Sequence, residues 1–97
     1  MAHILIVEDD INLGQILFQE LKKHSHVVEL VENAEAALAR VNKYIYDLMI
    51  TDLKLPGMDG IELLKKIKGS NPSTSVIVMT GYASVDTAVV AMKNGAQ

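Results

Sequence analysis

Ile4-Leu5-Ile6-Val7-Glu8-Asp9-Asp10 carries four apolar residues straight into three acids. Leu48-Met49-Ile50-Thr51-Asp52 repeats the design, an apolar run that ends on a carboxylate and is followed by Lys54-Leu55-Pro56-Gly57. Short, continuously apolar runs suit strands covered on both faces. Two such strands can bring their terminal carboxylates together at one sheet edge. Like charges so placed repel, which is a poor way to stabilise a fold. The same crowding is a good way to hold a divalent cation beside one reactive carboxylate.

Outward from these runs, strand and helix patterns alternate. Asp10 is suited to cap a helix from Ile11, because its carboxylate can accept an orphan amide of the first turn. Leu13, Ile16, Leu17 and Leu21 fall at helical spacing and predict that helix's apolar stripe. Gly14 inside it costs about 1 kcal/mol relative to alanine and hints at close packing. His24 stands near the helix C-terminus, where positive charge is favoured. Val27–Val31 reads as the next strand, and Glu29 within it suggests a sheet edge with one wet face. Asn33 can cap a helix with the stripe Ala34, Ala37, Leu38 and Val41. Leu48–Thr51 is the third strand, apolar enough for the sheet centre. Pro56-Gly57 predicts a turn. Asp59 with Glu62 resembles a capping box for a helix bearing Ile61, Leu64 and Ile67, which Gly69 is expected to end. Val76–Met79 is the fourth strand, and Ser84 can cap a last helix with the stripe Val85, Ala88, Val89 and Met92, closed by Gly95.

Four β-α units in succession imply an α/β fold: a parallel sheet covered on both faces and wound by right-handed crossovers. The 97 residues, 49% hydrophobic, suit a single domain over 1–97. Net charge is −3, and Lys65, Lys66 and Lys68 share a helix whose other face is apolar, so they read as a solvated face and not as a nucleic-acid patch. Without cysteine there are no disulfides or thiolate metal sites. No run is long enough to span a membrane, and Met1-Ala2-His3 lacks the layout of a signal peptide, so the expected location is cytoplasmic.

Ligands in doubly wound sheets sit beyond the carboxyl ends of the strands. Glu8, Asp9, Asp52 and Thr80 are all placed there by the pattern. Mg²⁺ takes oxygen ligands, commonly one or two carboxylates, and keeps several waters. Asp9 and Asp52 are the expected direct ligands, with Glu8 helping through water and the Lys54 backbone carbonyl as a further oxygen. Asp10 is reserved for the helix cap. Thr80 offers a hydroxyl donor and Gly81 leaves room for an incoming group. A carboxylate nucleophile with Mg²⁺ and a hydroxyl suits phosphoryl transfer, with Asp52 as nucleophile and an aspartyl phosphate as product. The three histidines lack ligand spacing with the acids and read as surface residues. Met49, Met58, Met79 and Met92 read as core or near-core fillers, Tyr44 and Tyr46 as packing residues, and Tyr82 as a candidate pocket wall.

At this point the chain resembles the receiver domain of bacterial two-component response regulators over essentially its whole length. The resemblance rests on Ile4–Asp10, on Asp47-Leu48-Met49-Ile50-Thr51-Asp52, on Leu55-Pro56-Gly57-Met58-Asp59-Gly60, on Val78-Met79-Thr80-Gly81 and on Ala91-Met92-Lys93-Asn94-Gly95-Ala96, in that order. It implies a flavodoxin-like sheet of order 2-1-3-4, Asp52 as phosphoacceptor, Glu8 and Asp9 as acid pocket, Lys54 as carbonyl donor to the metal and Thr80 as phosphate-sensing hydroxyl. It also implies a histidine kinase as phosphoryl donor, and the last helix looks most like receivers attached to AAA+ transcription activators. The family pattern continues into a fifth strand, a pocket lysine and a fifth helix, which have no counterpart up to Gln97. From this follow two expectations: slow or undetectable labelling of Asp52, and self-association through the fourth strand and last helix. A haloacid-dehalogenase-like phosphatase ranks lower, because Lys54 stands where that class carries its second Asp. A flavin or nucleotide domain ranks lower still, since no glycine-rich loop follows the first strand. A non-phosphorylatable interaction fragment is the remaining alternative.

Overall fold

The computed structural model describes residues 2–52, 55, 57, 58 and 60–79. Along the chain it runs β1 (His3–Val7), α1 (Ile11–Lys23), β2 (Val27–Val31), α2 (Ala34–Val41), β3 (Leu48–Asp52), α3 (Gly60–Ser70) and β4 (Ser75–Met79). The sheet order is β2-β1-β3-β4 and every pair is parallel. The expected α/β architecture and order are therefore present. The apolar β1 and β3 hold the two central places, and the Glu29-bearing β2 lies at an edge. The expected last helix, with Ser84 and Met92, and the Asp59 cap lie outside the described residues.

Alternation along the strands sorts the core into two layers. On one face Leu5, Val7, Met49 and Val76 pack with Ala34, Ala37 and Val41 of α2 and Leu63, Leu64 and Ile67 of α3. On the other, Ile4, Ile6, Val28 and Ile50 meet Leu17, Phe18 and Leu21 of α1. Each fully buried aliphatic side chain contributes about 1.5–3 kcal/mol, so strands buried on both faces carry much of the stability.

The α1 stripe differs from the sequence expectation. Leu13 is 39% and Ile16 65% exposed, whereas Phe18 joins Leu17 and Leu21 against the sheet. Gly14 sets this phase. A Cβ there would lie 3.0 Å from Leu30 Cδ1 and 3.7 Å from Glu8 Cβ, so the missing side chain lets the helix settle close to β1 and β2. The caps are as expected: Asp10 Oδ1 accepts from Leu13 N–H at 3.2 Å and Asn33 Oδ1 from Ala36 N–H at 2.8 Å. In α3, Leu63 joins the inward face, and Gly69 lies inside the helix, which runs on to Ser70, where the hydroxyl donates to the Lys66 carbonyl. Nothing would crowd a Cβ at Gly69, so its place in the helix costs propensity without forcing a stop. Tyr44 is exposed rather than packed, because the chain turns outward after α2 before Tyr46 enters the core. Met49 is core, Met58 is half-buried against the same layer, and Met79 is half-buried against the Ile4, Ile6, Val28 and Ile50 layer; Met92 lies outside the described residues.

A polar network closes the amino-terminal end of the sheet. Tyr46 Oη donates to Glu29 Oε2 at 2.5 Å, and His3 Nε2 lies 2.9 Å from the same oxygen. Arg40 reaches Glu29 Oε1 at 3.3 Å, and the His3 and Tyr46 rings sit 4.4 Å apart. Glu29 and His3 are thus tied to neighbours, not left on a wet face. Asp47 Oδ2 accepts from His3 N–H at 2.8 Å, and Thr74 Oγ1 donates to the Tyr46 carbonyl at 2.9 Å, joining β1, β3 and the entry to β4. Lys68 donates to the Thr74 carbonyl at 2.8 Å, so only Lys65 and Lys66 of the basic trio stand on an open face.

Burial pushes the Glu29 carboxyl up, but the Tyr46 and His3 hydrogen bonds and the Arg40 charge outweigh it and leave its pKa below the usual value of 4.5. Burial and the Glu29 bond raise the Tyr46 phenol. A depressed carboxylate pKa stabilises the fold above the unfolded value and loses that stabilisation as pH falls through the folded one. Tyr46→Phe should therefore cost about 1–3 kcal/mol in urea unfolding at pH 7. Glu29→Gln should be destabilised at neutral pH yet lose less than the parent between pH 4.5 and acid. Matching urea midpoints for Tyr46→Phe and the parent would show that the network adds no stability.

Candidate functional site

In-register pairing of β1 with β3 (Val7 with Thr51) carries the two chains side by side to the carboxyl edge. Asp52 is the last residue of β3, one position earlier relative to the strand end than its pattern suggests, while Glu8 and Asp9 follow β1. One carboxylate oxygen each from Glu8, Asp9 and Asp52 lie within 4.8 Å of one another. Cis ligands on an octahedral Mg²⁺ at about 2.1 Å stand ~3 Å apart and trans ligands ~4.2 Å. The spacing therefore accommodates one hard cation, with a carboxylate at the margin acting through water.

The three acids differ in setting. Asp9 is exposed, Asp52 is half-buried, and Glu8 is 1% exposed. Glu8 is held from both sides: its amide donates to the Val31 carbonyl at 3.0 Å, and its Oε2 accepts from Asp10 N–H at 3.0 Å. Glu8 Oε1 has no donor among the described residues. Burial raises the Glu8 pKa above 4.5; the Asp10 amide pulls it down, while the Asp9 carboxyl and the charge on Asp52 push it further up. An oxygen-only donor set with a buried, undersatisfied carboxylate fits Mg²⁺, the ion expected from the sequence.

Thr51 behind the acids is fully buried, and its hydroxyl donates to the Asp52 carbonyl at 3.1 Å. That bond fixes the backbone that presents the Asp52 side chain. Thr51 was not read from the sequence as part of the site; a hydroxyl at the end of an otherwise apolar strand was its only signal. Lys54, Thr80, Gly81 and Tyr82 lie outside the described residues. Asp10 caps α1 as expected, and its amide also steadies Glu8.

Comparison with known proteins agrees with this geometry. A family model described as the response regulator receiver domain matches residues 4–97. The transcriptional regulatory protein ZraR of Klebsiella oxytoca is 47% identical over 96% of this chain, which spans only 21% of that relative's length. A response regulator from Burkholderia pseudomallei, solved with a phosphorylated aspartic acid, a calcium ion and citrate, superposes with a TM-score of 0.93 at 28% identity, over 99% of this chain and 56% of the other. The beryllofluoride-activated NtrC4 receiver domain, a dimer in solution, superposes with a TM-score of 0.92 at 30% identity, over 97% of this chain and 78% of the other.

A carboxyl whose folded pKa is raised stabilises the fold below the unfolded value and loses that stabilisation as pH climbs through the folded one. Without divalent metal, melting temperature should therefore fall as pH rises from 4.5 through the raised Glu8 value, and Glu8→Gln should flatten that fall. Identical slopes in parent and variant would dissociate Glu8 from the titration.

Proposed function

The chain belongs to the response regulator receiver domain family, and from that premise we propose that Asp52 is the residue that accepts the phosphoryl group. As a receiver domain it is a phosphoacceptor signalling module of two-component systems, and neither the haloacid-dehalogenase-like phosphatase nor the non-phosphorylatable interaction fragment is favoured. The observation that supports Asp52 is its place at the end of central strand β3 beside Glu8 and Asp9. The other two acids are separated from it by role: Glu8 is buried and held by the Asp10 amide, and Asp9 is exposed at the rim.

In this reading Asp9 and Asp52 hold Mg²⁺ directly, Glu8 acts through water, and the Lys54 carbonyl is a further oxygen. Bound there, Mg²⁺ supplies positive charge against the equatorial oxygens of the transferring phosphoryl group. A carboxylate oxygen of Asp52 attacks phosphorus, and the donor's leaving group departs in line. Thr80 then donates its hydroxyl to a phosphoryl oxygen, and Tyr82 limits access of the water that hydrolyses the product. The domain's own chemistry is confined to taking and losing this group. A sensor histidine kinase is the donor, the domain works in the cytoplasm, and the output is transcriptional, as the name of the transcriptional regulatory protein ZraR suggests. No helix among the described residues is long and apolar enough to cross a membrane.

Self-association through β4 and the last helix is the second part of the proposal. Within the described sheet β4 is an outer strand, and Ile77 on it is an exposed large apolar residue. Outer strands of this kind are templates for pairing. Light scattering over a dilution series should reveal concentration-dependent association, and a monomer persisting at high concentration would remove this part.

Intact mass after incubation with acetyl phosphate and Mg²⁺ should show one added phosphoryl group. Asp52→Ala should abolish it, and Thr80→Ala should retain part of it. Asp9→Asn should lose the rise in melting temperature that Mg²⁺ gives the parent. Labelling that persists in Asp52→Ala would refute the nucleophile.

A further inference from the structure

Asp10 stands between the acid pocket and α1, and three of its groups are engaged. Its Oδ1 accepts from the Leu13 N–H at 3.2 Å and its carbonyl accepts from the Gly14 N–H at 2.9 Å, which ties the residue to the first turn of α1. Its own amide turns back along the chain and donates to Glu8 Oε2 at 3.0 Å. Among the described residues this is the one N–H that reaches the Glu8 carboxylate, since Oε1 has no partner there. Asp10 is exposed, and it does not belong to the trio Glu8, Asp9 and Asp52 whose oxygens lie within 4.8 Å of one another.

In the reciprocal form of a helix cap, a Glu or Gln at the third helical position reaches back and accepts the amide of the capping residue. The third position of α1 is Leu13, which carries no acceptor. The Asp10 amide is therefore not used by the helix, and Glu8 takes it. Capping accounts for the Asp10 side chain but not for this bond. The first turn also packs directly on Glu8: a Cβ at Gly14 would stand 3.7 Å from Glu8 Cβ. Backbone anchored to α1 at two points offers its donor in a fixed place, so the start of the helix orients a buried carboxylate of the pocket.

We propose that Asp10 is a positioning residue for cation binding: its cap of α1 fixes the amide that holds Glu8 in place beside Asp9 and Asp52. The inference rests on the reading of those three acids as the Mg²⁺ site, and not on which of them is phosphorylated. Groups that orient metal ligands from behind tune affinity without touching the ion.

The test is the Mg²⁺ dissociation constant of the 97-residue chain, followed by amide chemical shifts well below the melting temperature. The parent should show saturable shifts at Glu8, Asp9 and Asp52. Asp10→Asn keeps a capping oxygen without the charge and should bind within about twofold of the parent. Asp10→Ala has no capping oxygen and should bind about tenfold more weakly, the low end of what such orienting groups carry. Asp10→Gly, which starts helices nearly as well without offering a side-chain acceptor, should show the same loss where Asp10→Ala does not fold. Leu13→Gln gives the Asp10 amide a competing acceptor at a position that is 39% exposed. It should weaken Mg²⁺ binding while the metal-free melting temperature stays level or rises, a divergence that a merely structural cap does not produce. Parent affinity in Asp10→Ala or in Leu13→Gln would overturn the proposal and leave the cation site standing. Equal losses in Asp10→Asn and Asp10→Ala would assign the effect to charge and overturn it as well. A parent without a saturable response would remove the cation site itself, and the proposal with it.

Discussion

Repulsion among the carboxylates of Glu8, Asp9 and Asp52 is the constraint around which the rest of the structure is arranged. Nothing local favours it. The cluster exists because β1 and β3 pair in parallel and in register, so that Val7 lies beside Thr51 and the next residues of each chain have nowhere else to go. That pairing is held by apolar burial on both faces of the two central strands, with Ile4, Leu5, Ile6 and Val7 facing α1 and α2–α3 alternately. Several fully buried aliphatics, each worth about 1.5–3 kcal/mol, outweigh a few like-charge contacts at a wet rim.

The acids are therefore held by backbone that is itself firmly anchored. Glu8 is fastened by its amide to β2 and by its Oε2 to the first residue before α1. Asp10 serves twice, as side-chain cap of α1 and as backbone donor to Glu8. Thr51 holds the Asp52 carbonyl from behind. With Glu8 held and the backbone of Asp52 fixed, the three carboxylates start close together, and a cation placed among them would relieve their repulsion. Cation affinity and intrinsic stability are in this sense opposed, a common arrangement where a site must bind and release.

The two ends of the sheet use polar groups in opposite ways. At the amino-terminal end Glu29 is surrounded by Tyr46, His3 and Arg40, and its carboxyl titrates below its usual range. At the carboxyl end Glu8 is buried beside other acids, and its carboxyl titrates above it. One network is satisfied and stabilises; the other is left undersatisfied and is where a cation can act. The same type of side chain is thus neutralised by partners at one end and crowded among like charges at the other, and only the neighbours differ.

Much of this was legible in the residues themselves. The runs Ile4–Val7 and Leu48–Thr51 read as central strands and are, and the acids that end them foretold the carboxylate cluster. Asp10 and Asn33 marked their helix starts because capping is chemistry within a few residues. What lay beyond the sequence depended on partners distant along the chain. The phase of α1 followed from Gly14 meeting Leu30, which put Phe18 inward and Ile16 outward although both are apolar at acceptable spacing. Glu29 looked like a wet edge residue until the fold brought His3, Arg40 and Tyr46 around it. A cavity that lies between α1 and β2 has no sequence signature, since it is bounded by the separation of two elements and not by any motif. Local chemistry is written in neighbouring residues. Burial, pairing partners and empty space are set only when remote segments meet, so those features belong to the tertiary structure alone.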